Sequence, residues 1–367
     1  MNTPTIAIAH DYLTQRGGAE RVVLAMSRAF PEAVIYTTLY DPEGTYPDFA
    51  SATIRTSWLN RFGVFRRDHR KALPLLALAS DTLRVDADIV VVSTSGWAHA
   101  FPTRGRRFVY CHSPARWLYL TKTYLGGSAL RSVKGVVLLA LRPLLRRWDL
   151  KRARAAGTYV ANSRVIRTRI RECYGIEAEV FPAPHSFDPS LPAEPIAELA
   201  GREGYYLVVS RLLPYKNVTE VVRAFRGIPQ HRLVIIGDGP LRDELLAGCP
   251  PNVTMLRGLS DGQMRYAYRN CRALIAPSIE DYGLTPIEAG AFGKPTLALR
   301  AGGYLDTVAE GVSGAFFEAP TPEAIAEAVA ADHHDWDATA IIDHIDQFSE
   351  ARFIQRLRDE VAKLANR

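Results

Sequence analysis

Cysteine is scarce in this sequence. Four cysteines occur in 367 residues, Cys111, Cys173, Cys249 and Cys271, far apart and with no CxxC spacing. That excludes a disulfide framework or a zinc site legible from spacing, and a reducing cytoplasm is the expected compartment. Long apolar runs are also missing. The longest, residues 133–145, is broken by Arg142 and Pro143 and falls short of the ~20 residues that span a bilayer. The short run at 6–9 stops at His10 and Asp11 and has no basic leader, so no secretion signal is expected there. There is no low-complexity tract and no 20–50-residue repeat. No zinc-finger, helix-turn-helix or RNP pattern is visible, and nucleic acid is not an expected partner.

What is present is an ordinary globular composition, 47% hydrophobic and 23% charged, in a chain long enough for two domains. The charge is divided unevenly. Residues 1–190 hold 27 Lys and Arg against 15 Asp and Glu; the rest of the chain holds 18 against 24. A basic first half suits an anionic membrane surface, a phosphorylated substrate or nucleic acid.

Short apolar runs alternate with helical stretches. Strands are expected at 5–10, 34–38, 89–93, 107–111 and 159–162, with helices at 18–30 and from Ser163 onward. The segment 181–204 carries five prolines and two glycines and reads as a linker. Alternation then restarts, with strands at 205–210, 232–237, 253–256, 273–276 and 295–299 and helices at 262–271 and 286–292. The pattern predicts an α/β fold of two doubly wound, Rossmann-like domains facing a cleft. The expected boundaries are 1–185, 186–348 and a final helix at 349–367, in which Phe353, Leu357, Val361 and Leu364 share one face.

Five strand-end loops carry candidate chemistry. In residues 276–295, APSIEDYGLTPIEAGAFGKP, a helix is expected to open at Thr285 and Pro286. Amides around Gly283, Leu284 and Thr285 would then suit a phosphate or a sugar hydroxyl. Glu280 and Glu288 can accept hydrogen bonds from hydroxyls, although Thr285-x-x-Glu288 also reads as a capping box. In SRLLPYKN, residues 210–217, Arg211 and Lys216 suit a diphosphate, with two solvated surface cations as the alternative. Gly17 and Gly18 let backbone approach a ligand, or simply make a turn. His112, in YCHSPARW, is a candidate proton relay or hydroxyl donor, or a histidine satisfied by backbone. Gly239, in GDGP, either admits a nucleotide or makes a turn. Two DxD triplets, at 86–88 and 335–337, read as solvated loops or caps, and no metal is expected.

Taken in order, these segments resemble the retaining glycosyltransferases of family 4, which have the GT-B fold. The likeness covers nearly the whole chain. It is greatest to bacterial O-antigen and exopolysaccharide mannosyltransferases, through HDYLTQRGGAERV, IRTSWLNR, YCHSPARW, VANSRVIRTRIRECYG, YYLVVSRLLPYKN, IIGDGP and EDYGLTPIEAGAFGKP. Two departures stand out: Ala183-Pro184-His185-Ser186 replaces a Pro-Val-Asp run, and HSPARW replaces the more usual HTPMRY.

The resemblance implies hexosyl transfer from GDP-mannose, with no metal and no cofactor beyond the donor. The implied acceptor is a polyprenyl-diphosphate-linked or growing cell-surface glycan at the cytoplasmic membrane face. Glu288 would bind ribose and Glu280 the donor sugar. Arg211, Lys216, Gly17 and Gly18 would hold the diphosphate, and His112 would contact sugar or acceptor. Backbone near Gly239 and Leu259 would read the base. Under the same resemblance, the basic stretches 66–71 and 131–154, the latter with Val136, Val137, Leu138, Leu139, Leu144, Leu145 and Trp148, suit peripheral contact with anionic lipid or solvated core packing. Other readings are a UDP-sugar donor, a sugar-nucleotide epimerase, or a subunit that binds a partner transferase without catalysis.

Overall fold

The computed structural model describes residues 4–120, 133–185, 187–332 and 335–366. The chain divides into two compact units, 1–184 with 350–367, and 185–349.

Unit 1 is built on seven parallel strands: β1 (Ile6–His10), β2 (Val34–Thr37), β3 (Ile54–Thr56), β4 (Ile89–Thr94), β5 (Arg106–Cys111), β6 (Thr158–Ala161) and β7 (Glu179–Val180). Their order is β3-β2-β1-β4-β5-β6-β7. Every residue of β4 is buried, as expected for a central parallel strand covered by helices on both faces. Ala9, Val92, Val109 and Ala161 meet Ile166 and Ile170 of the helix Arg164–Tyr174 in one core cluster. Ser163 caps that helix by accepting from the Ile166 amide, so the expected helix start at Ser163 holds.

The sheet also packs against the helix Glu350–Ala365. Phe353, Leu357, Val361 and Leu364 are its buried residues. The Phe353 ring lies 5.6 Å from Tyr110 and 5.0 Å from Phe181. Burying such side chains stabilises by roughly 1.5–3 kcal/mol each.

Unit 2 repeats the plan with β8 (Tyr205–Val209), β9 (Leu233–Ile236), β10 (Val253–Leu256), β11 (Cys271–Ala276), β12 (Thr296–Leu299) and β13 (Gly314–Phe317), in the order β10-β9-β8-β11-β12-β13. In each unit the strand order reverses beside its first strand, between β1 and β4 and between β8 and β11. Ligands of open α/β sheets bind at such switch points, beyond the carboxyl ends of the strands.

Three strands escaped the sequence pattern. β3 and β7 have three and two residues, too few to show a period. β13 opens on Gly314, which reads as a breaker. The expected linker also differs. Phe187, Ile196 and Leu199 of that segment are buried in a core of unit 2, so much of it is packed chain.

The 133–154 stretch is a helix, Val133–Arg154. Arg131 and the side chains of Val136, Val137, Leu138 and Leu139 lie outside the described residues, as does Ser186. The remaining apolar residues do not share one role. Leu145 and Trp148 pack on the cluster of Leu76, Trp97 and Trp117, while Leu144 is 67% exposed. Trp148 also donates its indole N–H to Asp81 at 2.8 Å. Among the described residues no helix is long and apolar enough to cross a membrane.

Candidate active site

In unit 2 the chemistry gathers at the β8/β11 switch point. The loop after β8 turns through Pro214–Lys216 and reaches Asn217 in the left-handed conformation, φ 55°. Asn217 tolerates this better than most residues. Its Nδ2 donates to the Pro277 carbonyl at 2.9 Å, tying the loop after β8 to the loop after β11. The tie sets Lys216 against Glu280. The two side chains form an ion pair, with Lys216 11% and Glu280 27% exposed. Ser278 donates its hydroxyl to the same Glu280 oxygen, Oε1, at 2.6 Å. The Tyr304 phenol lies 3.3 Å from the Ser278 hydroxyl. Oε2 of Glu280 has no partner among the described residues, so one oxygen is anchored and the other is free to accept.

The Glu280 loop is gripped from behind by Gly302 and Gly303. The Gly303 amide donates to the Glu280 carbonyl at 2.8 Å. Gly302 has φ +64°, and a Cβ there would collide with that carbonyl oxygen. Gly283 has φ +92°, and a Cβ on it would lie 2.6 Å from the Tyr304 ring. Only glycine meets both demands without strain.

The following helix is Leu284–Ala291, with Gly283 as its N-cap. It begins one residue before Thr285, and this removes the capping-box reading. Glu288 lies a full turn inside, is buried, and accepts a 2.8 Å hydrogen bond from the Tyr268 phenol. The amides of Leu284 and Thr285 have no protein acceptor among the described residues, which leaves a helix start suited to an anion or hydroxyl.

Arg211 does not join Glu280. It is exposed and donates to the Tyr215 hydroxyl at 3.0 Å. Lys216 Nζ lies 5.2 Å from the Tyr215 ring centre, so Tyr215 is shared by both cations. Gly239 serves the protein's own packing. The space beside it is filled by Leu212 backbone, whose carbonyl oxygen lies 2.5 Å from where a Cβ would stand. Leu259 is half-buried between β10 and the helix Asp261–Asn270.

In unit 1 Gly17 is the N-cap of the helix Gly18–Ala29. A Cβ on Gly17 would collide with the Glu20 carboxylate. Glu20 is 1% exposed; burial pushes its carboxyl above the usual range, opposed by the nearby His10. Gln15 donates to its Oε1 at 3.0 Å. Asp11 is also buried. It accepts from the amides of Ser95, Trp97 and Ala98 at 2.6, 2.8 and 2.7 Å, and so fixes the loop after β4.

His112 follows β5. Its Nε2 lies 2.9 Å from the Ser93 hydroxyl, so the backbone-satisfied reading does not hold for this ring. Burial, with His10 and Arg116 nearby, pushes its pKa down to about 3. A ring that stays neutral at pH 7 is no acid there.

Of the DxD aspartates, Asp88 accepts from the Thr5 amide and hydroxyl, both at 2.8 Å, and Asp337 caps the helix Ala338–Asp346. Among the described residues no three His, Cys, Asp or Glu side chains cluster as a metal site.

Ser278, Tyr304, Tyr268, Tyr215, Gly302, Asp11 and Glu20 were not candidates in the sequence. Gly302-Gly303, separated from a strand by two residues, was the one available signal, of the same kind as Gly17-Gly18.

Two doubly wound parallel sheets of this order define the GT-B glycosyltransferase fold. The solved structure of Anabaena HepE in complex with UDP aligns over 98% of this chain and 100% of its own, with a TM-score of 0.71 at 16% identity. A sucrose-phosphate synthase from Thermosynechococcus elongatus aligns over 99% of both chains, with a TM-score of 0.73 at 16% identity. Residues 194–345 match the family described as Glycosyl transferases group 1, and residues 16–190 match Glycosyltransferase Family 4. The chain thus carries a group 1 domain and a family 4-like domain.

Among curated relatives, a GDP-mannose-dependent alpha-(1-6)-phosphatidylinositol monomannoside mannosyltransferase of Mycolicibacterium smegmatis is 28% identical over 46% of this chain and 50% of its own length. A glycogen synthase of Thermus thermophilus is 32% identical over 41% and 39%. The chain spans half or less of the length of these relatives.

Proposed function

We propose that the chain is a retaining glycosyltransferase that moves mannose from GDP-mannose onto a lipid-linked or growing cell-surface glycan. The observation that carries this reading is the Lys216–Glu280–Ser278 arrangement at the β8/β11 switch point. It combines a cation, a carboxylate with one free oxygen, and adjacent open amides. A nucleotide-sugar presents phosphate oxygens and hydroxyl groups, and these groups answer both.

In this reading Lys216 and Arg211 hold the diphosphate and offset the charge that develops as it leaves. The amides of Gly283, Leu284 and Thr285 donate to the same group. Glu280 Oε2 takes a sugar hydroxyl. Glu288, oriented by Tyr268, takes the ribose, and backbone around Gly239 and Leu259 meets the base. His112 donates to sugar or acceptor. The bond from the anomeric carbon to the phosphate oxygen breaks as the bond to the acceptor oxygen forms on the same face. The acceptor's proton passes to the departing phosphate, so neither a metal nor a further cofactor is required.

Mannose is favoured by the name of the mycobacterial relative. A UDP-sugar donor is the second reading, favoured by solved HepE complexes with UDP and with UDP-glucose. A membrane-bound acceptor suits the exposed Phe62 and Val64, with Arg61, Arg66 and Arg67 beside them in the sequence, as a peripheral contact of a cytoplasmic protein with anionic lipid.

The test is to incubate the full chain with GDP-mannose, UDP-glucose and other nucleotide-sugars, with and without bacterial lipid extract, and to follow nucleotide release. GDP release that depends on lipid is expected. Absence of binding to every donor would overturn the reading. Glu280→Gln should bind nucleoside diphosphate within about threefold of wild type while transfer falls by about 100-fold or more.

A further inference from the structure

The strand register of unit 1 brings two histidines and a serine into one line. His10 of β1 pairs with Ser93 of β4, and Ser93 pairs with Tyr110 of β5. Side chains alternate along a strand, so His112, two residues past Tyr110, joins the same face. His10 Nδ1 lies 3.1 Å from the Ser93 carbonyl oxygen and 3.0 Å from the Ser93 hydroxyl. That hydroxyl lies 2.9 Å from His112 Nε2. His10 and Ser93 are 1% and 0% exposed.

The chemistry of these partners assigns the protons. A carbonyl oxygen only accepts, so the nitrogen facing it at 3.1 Å must be protonated; a bare nitrogen would set two lone pairs against each other. His10 Nδ1 therefore donates and cannot accept from Ser93. The buried Ser93 hydroxyl still needs an acceptor, because an unsatisfied buried donor costs about 1–3 kcal/mol. His112 Nε2 is the side-chain acceptor in reach among the described residues. Once Nε2 accepts, the neutral ring carries its proton on Nδ1. Nδ1 has no partner among the described residues.

We propose that Ser93, backed by His10, is a positioning residue that locks His112 in the Nδ1–H tautomer, so that His112 offers an N–H donor to a substrate oxygen. The catalytic part of this rests on the transferase reading above; the tautomer does not. The neutral ring agrees with the low His112 pKa, the groups facing it being Ser93, His10, Arg116 and the Tyr110 ring. His112 then stabilises a sugar hydroxyl or a phosphate oxygen by hydrogen bonding, without transferring a proton.

The tautomer is read directly by two-bond 1H–15N correlation on the full chain labelled with 15N-histidine, with the His112 signals assigned by their loss in His112→Gln. At pH 7 the wild type should show a bare Nε2 and a protonated Nδ1. Ser93→Ala should shift the ring toward the Nε2–H form, and transfer should drop by about 10-fold or more. Ser93→Thr, which restores a hydroxyl on a β-branched side chain suited to a strand, should recover both readouts. A wild-type spectrum with Nε2 protonated overturns the proposal without any variant having to fold. So does a Ser93→Ala protein that folds, keeps Nδ1–H and transfers at the wild-type rate. If the chain turns over no donor yet shows the Nδ1–H tautomer, the transferase reading falls and the proton assignment stands.

Discussion

At the scale of single residues, the site depends on acids and imidazoles whose environments differ sharply. Glu280 keeps one oxygen engaged and one open, while Glu288 is buried against the Tyr268 phenol. His112 adds a pH dependence whose sign can be stated. Unfolded, its pKa is near 6.5; folded, it is about 3. Between those values the unfolded chain binds a proton that the native ring refuses. The contribution of His112 to stability is therefore complete above pH 6.5 and is lost as pH falls toward 3, by at most about 1.4 kcal/mol per pH unit. Urea unfolding of wild type and His112→Gln between pH 7 and 4 should show the steeper loss in the wild type. Equal slopes would mean that the folded protein does not hold the ring neutral.

At the scale of elements, the donor loop owes its shape to the loop beneath it. Gly302→Ala would place a methyl group against the Glu280 carbonyl oxygen on backbone at φ +64°. The expected outcome is a loss of about 1–3 kcal/mol of stability, together with impaired transfer in the protein that still folds. Thermal unfolding and the release assay check the two parts; normal values in both would show that Gly302 does not hold the loop. This is also where legibility in the sequence ended. The apolar runs of β1, β4 and β9 announced themselves, and Glu280 could be singled out because it follows a buried strand. Glu288 looked like a cap because Thr285 stood three residues before it, and the positive φ of Gly283, which starts the helix earlier, leaves no mark in the letters. Tyr268 lies twenty residues from Glu288 on another helix. Ser93 closes a valine run and reads as a strand end; its two histidine neighbours follow only from the order β1-β4-β5. Contacts set by register or by positive φ are invisible to a local pattern.

At the scale of the molecule, the chain leaves unit 1 at Pro184 and returns to it at Glu350. Leu357 is fully buried on that return helix. Leu357→Ala should destabilise unit 1 by about 2–5 kcal/mol, read as faster amide hydrogen exchange in β4 and β5. Unchanged exchange there would show that the helix contributes little to the sheet.

The same return path has a consequence for synthesis. A ribosome delivers the seven strands of unit 1, then all of unit 2, and only then Phe353 and its neighbours. At about 5–20 residues per second, the rings of Tyr110 and Phe181 wait on the order of 10–50 s for the side chains that cover them. During that interval the nascent sheet presents an apolar face that a chaperone, or another nascent copy, can bind.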